Sequence, residues 1–301
     1  MSQQLTSSER DRHGDDPSPG GRALRRATVA VALAVVVAGV LSASVPGSAV
    51  TSRTHVREIP PIYGLVYVVN EADQRISTAK QMLITACMAS HGLTYTPHFE
   101  DVTGDQDLSE LRPFGLESLD SLTSDPPPPE SVHDEEYSRA LFGDPDQRIV
   151  ARGARLELSQ PATGCVADAE HHLLGADRLH GTELRLRLYD GERDAREQVD
   201  HDPDLIAANS RWRACMNRAG IDAPSPTELL HALPPDADIT THPATRADVH
   251  CKRETNYLTT AYARLSALQR TWMDAHRDVV AEWIDLRQRQ DAIAQQILAR
   301  N

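Results

Sequence analysis

Few residues of this chain fall at spacings that perform chemistry. Ser77-Thr78-Ala79-Lys80 matches the S-x-x-K element, in which a lysine activates a serine for acyl transfer. That chemistry also needs a K-T-G strand, and the chain's other lysine, Lys252, is followed by Arg253. The match therefore reads as part of an amphipathic helix. Asp200, Asp202 and Asp204 open like a calcium loop, but Leu205 stands where Gly must turn the chain, and Arg211 where a Glu must close it. Helix capping by Asp202 or Asp204 is the simpler account. Among 13 histidines, Asp168 with His172 and His250 with Glu254 share an i,i+4 face, a spacing commoner in surface ion pairs than in metal sites. There is no G-x-S-x-G, H-E-x-x-H or C-x-x-C motif and no phosphate-binding Gly loop. No catalytic, cofactor-binding or metal-ligating residue is assigned.

The four cysteines, Cys87, Cys165, Cys215 and Cys251, offer either disulfides or a four-thiolate zinc site. Zinc is the weaker reading, because no C-x₂₋₄-C pair is present. A short repeat helps to choose a pairing. Ala86-Cys87-Met88 followed by Gly92-Leu93 recurs as Ala214-Cys215-Met216 followed by Gly220-Ile221. If each Gly is the left-handed residue that closes a helix, Met88 and Leu93 occupy the two positions that touch in a Schellman cap, as do Met216 and Ile221. Equivalent copies predict Cys87 paired with Cys165 and Cys215 with Cys251. Such bridges stabilise by about 3 to 5 kcal/mol each in the loop-entropy account.

Disulfides need an oxidising compartment, and the N-terminus supplies a route to one. Residues 1–26 are polar and end in Arg22, Arg25 and Arg26; residues 27–45 carry no charge. The segment 27–45 suits a transmembrane anchor across roughly 30 Å, or the h-region of a signal peptide cleaved near Ala49. The arginines keep residues 1–26 in the cytoplasm and send the rest outside. The expected localisation is thus the cell membrane, single-pass with the C-terminal domain outside, or secretion after cleavage. No Cys follows the h-region, which excludes a lipid anchor there.

Behind a linker at 46–69, the remainder reads as an extracytoplasmic helical domain, 70–301. A helix over Glu71 to His91 is capped by Asn70; others are predicted at Tyr137 to Gly143, Gly164 to Leu174 and Asp204 to Ala219. Thr182 to Tyr189 alternates like a strand, yet Leu184, Leu188, Ala195 and Val199 suit a helix, and helix is preferred. From Ala244 to Arg300 there is no Gly or Pro, and Leu258, Leu265, Trp272, Val279, Leu286 and Ile293 recur every seven residues. That coiled-coil-like seam, up to about 80 Å long if straight, needs a helix along it. Either the protein's own Cys-bearing helices or a binding partner meets this face. The fold class is all-α: a disulfide-stapled helical bundle with a long C-terminal helix, preceded by one N-terminal hydrophobic helix.

Charge is uneven. The net −13 argues against nucleic acid as a partner. Residues 100–146 hold 14 acids and two arginines, the rest of the chain 30 acids and 29 bases. This Pro-rich stretch is expected to be a disordered, solvated insertion or a contact for cations or a basic partner.

Tyr137-x-x-Ala140-Leu141-x-Gly143, Gly164-Cys165, Trp212-x-x-Cys215-Met216-x-x-x-Gly220 and Ala247-Asp248-x-x-Cys251-Lys252 resemble motifs of an uncharacterised family of exported, lipoprotein-like actinobacterial proteins that end in a long helix. The likeness spans residues 80 to 300, and 29 Arg against two Lys agree with a GC-rich genome. It implies fold and location only. The expected function is a non-enzymatic binding module of the cell envelope, facing another envelope protein or the cell wall; the alternative is an envelope hydrolase or metal-dependent enzyme with dispersed residues.

Overall fold

A computed structural model describes residues 58–97, 113–119, 134–235 and 237–300. The segment 27–45 and the region near Ala49 lie outside the described residues. Among the described residues no helix is long and apolar enough to cross a membrane.

The domain is mostly helical. Helix α1 (Pro61–Val66) falls within the stretch expected to be linker, and it buries Ile62 and Tyr63. Ile62 N donates to the side-chain oxygen of Gln269 at 2.9 Å, which anchors this short helix by its backbone. Helix α2 (Glu71–Ser90) begins at a capping box: Asn70 accepts from the Asp73 amide, and the Asp73 carboxylate accepts from the Asn70 amide. Helix α3 (Glu135–Phe142) is capped by Asp134. An antiparallel hairpin follows, β1 (Arg148–Arg152) on β2 (Glu157–Pro161), with Arg148 opposite Pro161 and Arg152 opposite Glu157. Helices α4 (Cys165–Leu174), α5 (Arg178–Val199), α6 (Pro203–Arg218), α7 (Pro226–His231), α8 (Pro243–Glu254), α9 (Tyr257–Ala275) and α10 (Arg277–Leu298) complete the chain.

Both Cys-Met helices close in the same way. Gly92 has φ 74° and Leu93 N donates to Met88 O at 3.0 Å; Gly220 has φ 76° and Ile221 N donates to Met216 O at 3.0 Å. These are the long bonds of Schellman caps, and only a residue without Cβ takes that φ without strain. The bridges are Cys87–Cys165, joining α2 to α4, and Cys215–Cys251, joining α6 to α8. All four sulfurs are thereby consumed, which overturns the four-thiolate zinc reading.

The C-terminal heptads follow a bent path. Asn256 adopts the left-handed conformation (φ 53°, ψ 33°), and His276 leaves the helical region at φ −124°. Asn tolerates the first of these better than most residues do, so the chain turns there without Gly or Pro. The bends carry one stripe around the domain's own helices. Leu258 and Leu265 pack with α6, Trp272, Val279 and Leu286 with α5, and Ile293 with α2. Leu265 and Val279 are fully buried. The protein's own helices therefore meet much of this face, one of its two expected occupants, while Leu258, Trp272 and Ile293 stay partly exposed.

Thr182 to Tyr189 lies inside α5, and Leu184, Leu186 and Leu188 are all buried. Their alternation arises because α5 is covered on more than one side. Leu184 and Leu188 meet α10, whereas Leu186 lies beneath the hairpin at Gly153. The acidic stretch is likewise not all solvated loop. Phe114 and Leu116 are buried, and α3 supplies Leu141 to the core.

Gly191 marks a close contact between α5 and α9: a Cβ there would stand 2.4 Å from the Trp272 indole. Gly191→Ala should cost about 1–3 kcal/mol by overpacking, read as a melting temperature lower by roughly 2–4 °C per kcal/mol. An unchanged melting temperature would show that α5 and α9 do not meet through this contact.

Candidate functional site

The candidate site grows out of the W-x-x-C-M and A-D-x-x-C-K segments. Trp212 and Cys215 lie on consecutive turns of α6; Asp248, Cys251 and Lys252 lie on one side of α8. Beside the Cys215–Cys251 bridge, Trp212 Nε1 donates to Asp248 Oδ1 at 2.9 Å, and Lys252 Nζ donates to Asp248 Oδ2 at 2.7 Å. Lys252 Nζ also donates to the Leu116 carbonyl at 2.6 Å. The Asp248 and Lys252 side chains are 0 % and 1 % exposed. Burial pushes the Asp248 carboxyl above and the Lys252 amine below their usual ranges, while their mutual contact opposes both shifts.

The Leu116 carbonyl reaches the lysine because the chain turns at Gly115, whose φ is 74°. A Cβ at Gly115 would meet Pro226 O at 3.1 Å and Lys252 Nζ at 3.3 Å, so the close approach also favours Gly. One residue further, Glu117 accepts a short hydrogen bond from Tyr262 Oη. Glu117, Lys252 and Tyr262 form part of the wall of a cleft of about 440 Å³, completed by Glu58, Arg253 and Leu258 among others. Its lining mixes apolar residues such as Val249 and Leu258 with charged and hydroxyl groups, a composition common in small-ligand sites.

The first bridge sits in a structural setting. Cys87 and Cys165 pack with Tyr137, Ala140 and Leu141 of α3. A Cβ on Gly164 would lie 2.3 Å from Gly143 N, so the two backbones touch there. The Y-x-x-A-L-x-G and G-C segments thus hold α3 on α4. Cys87, Cys165 and His91 offer atoms within 4.8 Å of one another, but both sulfurs belong to the disulfide and are not thiolate ligands.

Other residues singled out by spacing serve the fold. Ser77 is exposed, and Lys80 Nζ bonds Glu170 at 2.7 Å instead of serving a nucleophile. Asp202 caps α6 and pairs with Arg264 at 2.8 Å; Asp204 lies 3.6 Å from the same guanidinium. His250 approaches Glu254 at 3.4 Å on the surface. Spacing alone missed Leu116, Glu117 and Tyr262. One signal was available: Pro113-Phe114-Gly115-Leu116 is an apolar island within an acidic run.

The chain matches no known protein-family model, no curated protein and no solved structure.

Two tests follow from these ion pairs. Lys252→Met leaves Asp248 buried without a counter-charge and should cost about 3–5 kcal/mol in urea unfolding. The double variant Asp248→Asn, Lys252→Met keeps an acceptor for Trp212 and should recover most of that loss; a double variant as unstable as K252M would refute the pairing. Burial raises Glu170, but Lys80 and Arg178 outweigh it and hold this carboxyl below its ordinary value of 4.5. Its stabilising contribution is complete above that value and fades as pH falls through the lower, folded-state value. Glu170→Gln should therefore flatten the acid limb of stability measured from pH 7 to 3, and an acid limb of unchanged slope would contradict it.

Proposed function

We propose that this protein is a membrane-anchored, extracytoplasmic binding module of the bacterial cell envelope, and that the cleft beside Lys252 receives its ligand. The observation that carries the reading is the construction of that cleft. Its wall is a loop pinned by a buried lysine, and both observed bonds of the lysine go to the protein's own Leu116 carbonyl and Asp248. Lys252 holds a binding wall in place; it is not poised as a base for hydrolysis.

The two disulfides suit an oxidising compartment. The charge-free segment 27–45 behind three arginines supports an anchor with the helical domain outside. The resemblance to exported actinobacterial proteins agrees with that location. The envelope partner is a protein or a cell-wall component that offers an apolar group for Leu258 and polar groups for the rim.

The test uses the full-length protein in its membrane, with a photo-crosslinking residue at exposed Thr259 in the cleft lining. A discrete adduct is expected, and it should vanish when Ala263→Trp fills the cleft. An adduct that survives A263W, or one formed equally from Arg211 on α6, would reject the cleft as the binding site.

A further inference from the structure

The two bridges differ in what can reach their sulfurs. Cys215 and Cys251 are 4 % and 1 % exposed, and neither lines the Lys252 cleft beside them. The Glu254 carboxylate also stands 3.7 Å from Cys215 Sγ, a negative charge that opposes an incoming thiolate. Cys87 is half-buried instead, and it lines a groove of about 340 Å³ between α2 and α4. Its partner Cys165 is fully buried and is not part of that lining. One end of this bridge meets the groove and the other lies behind it.

Thiol–disulfide exchange starts with a thiolate on one sulfur, and it runs faster when the other sulfur leaves as a stabilised thiolate. Cys165 is the first residue of the ten-residue α4, and the N-cap is Gly164, which has no side chain to accept from the opening amides. Those amides and the helix dipole favour a negative sulfur at this end. His91, four residues beyond Cys87, brings a ring nitrogen within 4.8 Å of both sulfurs, in reach to protonate the departing thiolate. Asp168, His171 and His172 share the groove lining, one acid beside two imidazoles. A bridge that opens in use must also leave α2 on α4. Here Lys80 bonds Glu170 at 2.7 Å, and Ile84 and Met88 belong to one apolar cluster with Ala169.

We propose that Cys87–Cys165 is a redox-active bridge that oxidises thiols, with Cys87 the attacked sulfur and Cys165 the leaving one. A donor thiolate bonds to Cys87 Sγ, the S–S bond breaks, and its electron pair leaves on Cys165 Sγ, which takes a proton from His91. A second thiolate of the donor then attacks the donor sulfur of the mixed disulfide and frees Cys87. The donor departs as a disulfide, and its two electrons remain on Cys87 and Cys165, which take up two protons as thiols. The groove is separate from the Lys252 cleft, and its assay reads sulfur chemistry, so either reading can fail alone.

The test treats the full-length protein in detergent with reduced glutathione or, separately, with a peptide carrying two cysteines; alkylation and peptide mapping then locate the freed thiols. Cys87 and Cys165 are expected to open roughly tenfold faster than Cys215 and Cys251. In Cys165→Ser, oxidised glutathione should add to Cys87, whereas in Cys87→Ser the buried Cys165 should react roughly tenfold more slowly. The first comparison uses the native chain, so it decides the matter where a Cys variant fails to fold. His91→Gln should slow opening without lowering the melting temperature. Reaction with glutathione assigns a small thiol as donor, and oxidation of the peptide assigns a protein thiol. Opening of both bridges at one rate, no reaction with either donor, faster adduct formation at Cys165 than at Cys87, or an unchanged rate in H91Q would each overturn the proposal.

Discussion

An ammonium group taken out of water must find acceptors, and the domain around α6 and α8 is arranged to give Lys252 two of them. One is Asp248, a turn earlier on the same helix; the other is a backbone carbonyl 136 residues away. Desolvating such a pair is expensive, and the attraction repays it only where the remaining hydrogen-bonding sites are also satisfied. Trp212 meets that condition by occupying the second Asp248 oxygen. Three segments therefore converge on one charge. The Cys215–Cys251 bridge runs beside them and links the same two helices. A covalent bridge limits how far α6 and α8 can separate, whereas the Trp–Asp–Lys chain sets the face that each turns toward the other.

What local spacing reveals depends on the range of the interaction. The helix ends at Gly92 and Gly220 are legible because a Schellman cap joins residues five apart, Met88 to Leu93 and Met216 to Ile221. The two bridges are legible once these copies are treated as equivalent. Heptad spacing is legible only in part: it reports that Leu265, Val279 and Leu286 face something apolar, but not what that is. Nor does it report the bends at Asn256 and His276, since neither position carries the Gly or Pro that marks a break. Leu184, Leu186 and Leu188 imitated a strand for a related reason. Alternation signals two environments on opposite faces, and a helix covered by α10 on one side and a hairpin on another produces the same pattern.

The hairpin itself escapes sequence reading. Its strands are five residues long, Leu156 and Leu158 stay exposed, and no alternating run is present. It is held instead by charge: Asp190 accepts from the Ala154 and Arg155 amides, and Arg155 bridges to Asp194 and Glu197. Those partners are 35 to 42 residues distant, beyond any periodic signal. The candidate site is hidden for the same reason. Lys252 attracts notice as one of two lysines, but nothing near it announces Leu116 or Glu117.

The charge distribution gains a narrower meaning from this geometry. Nearly all of the net −13 belongs to residues 100–146, and the apolar island within that run is one of the places, with Leu141 of α3, where the stretch enters the core. Phe114 belongs to the lining of a second cavity, beside Arg196, and Glu117 to the lining of the cleft at Lys252. Only Gly115 and Leu116 separate them, and the Lys252 bond grips Leu116 between the two. Phe114 makes edge contacts with Tyr257 and Tyr262, and Tyr262 in turn bonds Glu117. The walls of both hollows therefore share one short, pinned segment.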